Sequence, residues 1–249
     1  MPACIFCDET KLTKEDLVPL WLLRLLGGER RFTVRTVRGG ELFGPDQWRA
    51  RTQQREGGNH KARIVCRGCN GGWMSQIETD ASDILSSAIR YPLIPRSFNR
   101  THQIALANWI FLRALTLDAG KEKDNSTFLD RPCFTSFRNS VTRTPPANSV
   151  YTWLGLLPPA SRLRIEARVR DSLASRGRGG FQVGNILIGQ IVFQILIVRD
   201  LGKVSFDFSE IVKPWRRNVI RLWPSPKRSV EWPPRPLEDL GAFMFRFGL

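Results

Sequence analysis

Two Cys-x-x-Cys pairs, Cys4-Ile5-Phe6-Cys7 and Cys66-Arg67-Gly68-Cys69, constrain this chain more than any other feature. Each pair can wrap one side of a tetrahedral ion, and four thiolates close a zinc site with Zn–S distances of about 2.3 Å. The segment from Asp8 to Val65 then becomes a loop pinned at its base by the metal. Structural zinc is worth apparent energies of about 10–16 kcal/mol in small finger peptides at pH 7, enough to decide how this region folds. A thioredoxin-like redox role fits less well, because neither pair sits in a βαβ setting. The chain has five cysteines, four of them in the two pairs, which points to a reducing compartment and a metal rather than to disulfides. Cys133, between Pro132 and Phe134, reads as a buried apolar filler.

Thirty-eight Lys and Arg stand against 23 Asp and Glu in 249 residues, a net charge of +15. Such a balance suggests a polyanionic partner, nucleic acid above all. Apolar content of 42% and charged content of 24% belong to a globular chain with a real core, arranged as one large domain or two smaller ones. The longest apolar run, Ile186 to Val198, is interrupted by Gly189, Gln190 and Gln194 and falls short of the ~20 residues a bilayer span needs. No membrane partner is expected. The first CxxC begins at residue 4, which leaves no room for a secretory leader, so the expected location is cytoplasmic.

Along the chain, Pro19 and the apolar body Leu20–Leu26, stopped by Gly27-Gly28, predict a short helix. Phe32–Arg38 is β-rich and turns at Gly39-Gly40, and Gln47–Lys61 reads as a loop or loose hairpin. After the second CxxC, Trp73–Ile89 places Met74, Ile77, Ala81, Ile84, Leu85 and Ala88 on one helical face. The prolines of Tyr91-Pro92-Leu93-Ile94-Pro95 suggest a boundary between an N-terminal domain, 1–90, and a second domain, 91–249. The second opens with a helix over Ile104–Ala119 capped by Thr101. A charged, exposed segment follows over Gly120–Asp130. Val150–Leu157 is strand-like, Arg162–Arg170 alternates apolar with charged residues, and Phe181–Val198 supplies one or two core strands with Leu187, Ile191, Phe193, Ile195 and Ile197 on an apolar face. The Trp/Pro-rich tail from Trp215 is expected to wrap the surface before a short terminal element, Leu237–Phe247. The fold class is thus α+β, with one long helix and an antiparallel sheet in the second domain.

The order knuckle, helix, hairpin, second knuckle, helix is that of a treble clef with a ββα core. Cys-x-x-Cys, then Lys14-Glu15-Asp16-Leu17-Val18-Pro19-Leu20-Trp21, then Cys66-x-x-Cys69-Asn70-x-Gly72-Trp73-Met74 resembles the HNH (His-Me finger) endonuclease family. The likeness is closest to the branch in which Glu-His-x-x-Pro-x-Trp precedes Cys-x-x-Cys-Asn-x-Gly-Trp-Met, and it covers about the first third of the chain. It implies a nucleic-acid-cleaving site in which an acidic residue and a last His or Asn hold one divalent ion, Mg²⁺ or Mn²⁺. By position, Glu15 is then the metal carboxylate, Asn70 the second ligand, and Asp16 stands where the family has its general-base histidine. An unperturbed Asp near pKa 3.9 is about two to three units too acidic for that work at neutral pH.

Three readings follow: Asp16 is a poor base, His60 replaces it, or the site is dead. His60 in Gly57-Gly58-Asn59-His60-Lys61 is equally read as an exposed loop histidine. Thr13-x-x-Asp16 also fits a capped helix start, which would make Asp16 a cap. Arg30, Arg31, Arg35, Arg38, Arg49, Arg51, Arg55, Lys61 and Arg63 form a basic set between the knuckles, suited to phosphate contacts, with DNA expected before RNA. Arg162–Arg170 offers either a second basic track or a solvated sheet face. Trp48 and Trp73 can stack bases, or pack in the core as most tryptophans do. The expected function is a zinc-clipped, metal-dependent endonuclease of weak activity. The alternative is a catalytically lapsed nucleic-acid-binding subunit of a phage or anti-phage assembly, with a protein partner docking on 91–249.

Overall fold

A computed structural model describes residues 2–27, 31–39, 49–56, 61–120, 129, 131–140, 142–159, 165–173, 180–199, 213–240 and 243. It is a mixed α+β structure with largely antiparallel sheets. Strand β1 (Leu12–Asp16) leads to the six-residue helix α1 (Leu20–Leu25). Then come β2 (Arg31–Gly39), β3 (Arg49–Glu56) and β4 (Lys61–Cys66). A three-residue turn of helix, α2 (Arg67–Cys69), passes through a kinked segment at Asn70–Met74 into α3 (Ser75–Arg90). Strand β5 (Arg96–Asn99) precedes the long helix α4 (Arg100–Ala119), and α5 (Arg131–Asn139) follows. The remainder is β6 (Val150–Leu156), β7 (Ile165–Leu173), β8 (Gly180–Ile188), β9 (Ile191–Arg199), β10 (Val219–Trp223) and β11 (Ser229–Trp232).

Three sheets result. β1 pairs with β4, β5 with β11, and a seven-stranded sheet runs β10-β6-β9-β8-β7-β2-β3. The pairing of β2 with β7 is parallel; the others are antiparallel. β8 and β9 form a hairpin that reverses at Gly189 and Gln190. Gly189 sits at φ +58°, in the left-handed region that costs an L side chain energy. Both faces of this hairpin are buried. Ile186, Ile188, Ile191, Phe193, Ile195 and Ile197 face α4, while Val183, Leu187, Val192 and Leu196 pack beneath Leu237 and Phe243. Leu187 therefore belongs to the face opposite Ile191, and the unbroken apolar runs of Phe181–Val198 are those of a strand pair covered on both sides.

Several local expectations are corrected. Thr13–Asp16 is a strand, not a helix start, and α1 begins after Pro19 with no side-chain cap. The cap of α4 is Asn99, whose Oδ1 accepts from His102 N at 2.8 Å, so the helix starts earlier than a Thr101 cap implies. Of the two readings of Gln47–Lys61, loop or loose hairpin, the described part is a strand, β3, paired antiparallel with β2, and the Trp/Pro tail contributes two strands rather than only a wrapping segment. Within Gly120–Asp130, Leu129 is buried and its N–H donates to Asp118 Oδ2 at 2.9 Å; residues 121–128 and 130 lie outside the described set. Cys133 is half-buried against the core. The proline break near Tyr91–Pro95 falls at the turn between α3 and β5. One apolar cluster nevertheless continues from Cys4 to Trp232, across that turn. No helix among the described residues is long and apolar enough to cross a membrane.

Candidate metal centre and adjoining pocket

β4 ends on Cys66, and its antiparallel partner β1 starts opposite it, at Leu12. The N-terminal knuckle is sewn to the same strand by Ile5 N donating to Ile64 O at 2.9 Å, and turns back through Cys7 N to Cys4 O at 3.3 Å. These ties gather the Sγ atoms of Cys4, Cys7, Cys66 and Cys69 within 4.8 Å of one another. Cys7 Sγ lies 3.6 Å from Cys66 Sγ and 3.9 Å from Cys69 Sγ. Four sulfurs about 2.3 Å from one tetrahedral ion stand about 3.8 Å apart, so the donor set fits a metal ion such as zinc. Cys69 N donates to Cys66 Sγ at 3.4 Å, an outer-shell bond that steadies a thiolate ligand.

The protonation pattern agrees with a site built for a cation. Burial pushes the Cys69 thiol up to about 12, and burial raises Cys7 as well. Burial opposes ionisation of Cys66 too, but the Cys69 N–H and the surrounding thiols outweigh it and bring Cys66 below its usual value. Three sulfurs, those of Cys4, Cys66 and Cys69, belong to buried residues. Four clustered thiolates, three of them buried, are costly without a counter-charge, and a dication that displaces the protons would remove that cost.

The knuckle is backed by aromatic rings. Phe6 meets Trp73 edge-on at 4.9 Å and Phe134 of α5 at 5.9 Å, while Trp73 meets Phe137 at 5.7 Å. Trp73 is therefore a packing residue, half-buried and in ring contact with the core. From α5, Arg131 donates to Cys7 O at 3.1 Å and also pairs with Asp8.

Immediately beside the cysteines lies a pocket of about 320 Å³ lined by Thr13, Glu15, Arg67, Asn70, Gly71, Met74, Ser75 and Glu78. Asn70 Nδ2 donates to Thr13 Oγ1 at 3.5 Å, and Thr13 Oγ1 donates to Val65 O at 3.2 Å. Glu15 is only 5% exposed. Burial raises its carboxyl above the usual range, Arg113 pulls it back, and Glu78 raises it further. Arg113, from the middle of α4 and 1% exposed, reaches in from the other half of the chain. Its Nη2 is 3.2 Å from Glu15 Oε1 and 3.1 Å from Glu78 Oε1, and its Nη1 donates to Asp16 O at 3.0 Å. Two carboxylates, Glu15 and Glu78, thus meet two guanidiniums, the buried one of Arg113 and that of Arg67 at the pocket's lining.

No protein-family model, curated protein or solved structure matches this chain.

Of the residues singled out in the sequence, Cys4, Cys7, Cys66 and Cys69 converge, and Glu15 and Asn70 line one pocket. Asp16 follows Glu15 on β1 but is not among the pocket's lining residues; its Oδ1 lies 3.6 Å from Lys61 Nζ. His60, Arg30 and Trp48 lie outside the described residues. Arg31, Arg35 and Arg38 fall on β2 and Arg49, Arg51 and Arg55 on β3, with Arg35 in register with Arg168 of β7. Lys61 and Arg63 are exposed on β4. Arg113 and Glu78 were not anticipated. The available signal for Arg113 was a charge inside Ile110-Phe111-Leu112-Arg113-Ala114-Leu115, since an arginine in such a run is buried only when it is paired.

Proposed function

We propose that this chain is a zinc-clipped, HNH-like nucleic-acid-binding protein of treble-clef construction that hydrolyses phosphodiesters slowly with a divalent ion. The observation that carries the reading is the convergence of Glu15 and Asn70 on one pocket beside the four cysteines. Carboxylate, amide and hydroxyl oxygens from Glu15, Glu78, Asn70 and Thr13 form a donor set suited to a hard ion such as Mg²⁺ or Mn²⁺. Such an ion, when bound, supplies stabilisation of the charge that develops on phosphate. Glu15 and Asn70 would hold it, with Glu78 lining the same pocket. Arg113 offsets part of the burial that raises the Glu15 carboxyl and holds that side chain in place. Slow turnover follows from the base position: the side chain there is Asp16, paired with Lys61, and no histidine lines the pocket among the described residues.

The Arg113–Glu15 pair favours a second reading, a binding subunit that no longer cleaves, such as one in a phage or anti-phage assembly. An arginine that already neutralises the metal carboxylate weakens its hold on a dication. Plasmid nicking with Mg²⁺ or Mn²⁺ separates the two. Nicking abolished by Glu15→Ala supports the enzyme, and salt-sensitive binding with no nicking selects the subunit. Asp16→His is expected to raise nicking; no gain in that variant counts against an intact site.

A further inference from the structure

A second cavity, of about 490 Å³, lies between α1 and α3 and shares Ser75 and Glu78 with the pocket described above. Its charged lining is Arg24 from the last turn of α1, Arg90 from the last turn of α3, and Glu78. Glu78 shares Arg113 with Glu15, so it offsets at most one of the two cleft arginines. Both arginines are exposed, and neither makes an ion pair or side-chain hydrogen bond among the described residues. Between them α3 presents the hydroxyls of Ser75, Thr79, Ser82 and Ser86, spaced so that all four fall on one helical face. Thr79 donates to Ser75 O and Ser82 to Thr79 O, each at 3.0 Å, and both hydroxyls can rotate to a stronger acceptor. Trp21 also lines the cleft, and its buried indole nitrogen has no hydrogen-bond partner.

Two unpaired guanidiniums and a row of hydroxyl donors make a lining that takes phosphate oxygens. From Ser75 to Ser86 the helix rises about 16 Å, several times the width of one phosphate group. That length suits a strand rather than a single free anion. We propose that the α1–α3 cleft seats the phosphodiester backbone of a nucleic-acid strand and leads it into the Glu15–Asn70 pocket. This rests on the nucleic-acid reading given above and adds to it the path of the strand.

The test is fluorescence anisotropy of labelled oligonucleotides with the full-length protein, over about 50 to about 200 mM salt. Arg24→Ala/Arg90→Ala is compared with Arg216→Ala/Arg217→Ala, which removes the same charge near β10. The cleft variant is expected to bind at least tenfold more weakly at about 0.1 M salt, with the slope of log K against log salt reduced by about 1.8, or 0.9 per lost phosphate contact. The β10 variant is expected to keep the parent slope. Equal losses in the two variants would overturn the cleft while leaving nucleic-acid binding in place. A mononucleotide that binds as tightly as an oligonucleotide would overturn the strand path. A parent protein that binds no oligonucleotide even at the lowest salt would overturn both the cleft and the reading beneath it.

Discussion

The seven-stranded sheet and the cysteine clip are held by different physics. β6, β8 and β9 are apolar on both faces, with α4 on one side and the segment through Leu237 and Phe243 on the other. At about 25 cal/mol per Å² of apolar surface removed from water, such a layered core holds without help from any ion. The clip has a two-stranded sheet, β1–β4, and a six-residue helix, neither of which is stable alone. Four sulfurs, an aromatic wedge around Phe6 and Trp73, and one buried arginine stand where the sheet has packed strands. The candidate chemistry sits on the weaker side. A pocket lined by ionisable groups cannot also be a dry apolar core, so its geometry depends on the neighbouring cysteine cluster, which could hold a metal ion, and on Arg113 reaching over from α4.

Metal removal should break the comparison most visibly. Stripping the ion with a chelator, or Cys69→Ser, is expected to abolish hydrogen-exchange protection in β1 and β4 while β8 and β9 stay protected. Energies of about 10–16 kcal/mol tied to structural zinc in small peptides set the scale. Simultaneous loss of protection in both regions would mean that the clip and sheet open as one unit.

Next in size is Arg113→Met, which leaves Glu15 and Glu78 without their buried partner and should cost about 3–5 kcal/mol in urea unfolding. Its pH dependence has a definite sign. Burial already raises the Glu15 carboxyl, so the folded state holds that proton to higher pH than the unfolded chain does. Stability therefore falls as pH rises through that interval, and loss of Arg113 widens the interval. The deficit of Arg113→Met should be larger at neutral pH than near pH 4; a deficit that does not vary with pH would show that Glu15 is not what Arg113 restrains.

On the sheet side, Ile195→Val trims a fully buried β9 residue facing α4 and should cost about 1 kcal/mol, with bound zinc unchanged. The smallest effect, again about 1 kcal/mol or less, is assigned to Asn99→Ala, which removes the α4 cap. Thermal melts with metal analysis check both. A drop in zinc content in either variant would tie the clip to the sheet more closely than their contacts indicate.

The CxxC spacing made the clip legible because thiolate ligation is a short-range rule written in residue types. The presence of α3 and α4, and of buried strand structure within Phe181–Val198, was readable from apolar patterning for a similar reason, though the start of α4 and the division into β8 and β9 were not. β1 was not, because Thr13-x-x-Asp16 carries the same residues as a helix cap, and only its pairing with β4 decides between them. The parallel contact between β2 and β7 joins segments more than a hundred residues apart, and no local pattern encodes that register. Arg113 escaped notice because α4 is buried around nearly its whole circumference beyond Leu106, so no polar stripe set the arginine apart. Glu15 and Asn70 share a pocket because β1 pairs with β4, and Asn70 follows directly on the Cys66–Cys69 turn at the end of that strand.

X-ray absorption at the zinc edge on the purified protein tests the central claim most directly. One zinc per chain with four sulfur neighbours at about 2.3 Å is the expected result. Substoichiometric metal, or a shell containing nitrogen or oxygen, would contradict the four-thiolate clip and with it the reason Glu15 and Asn70 meet.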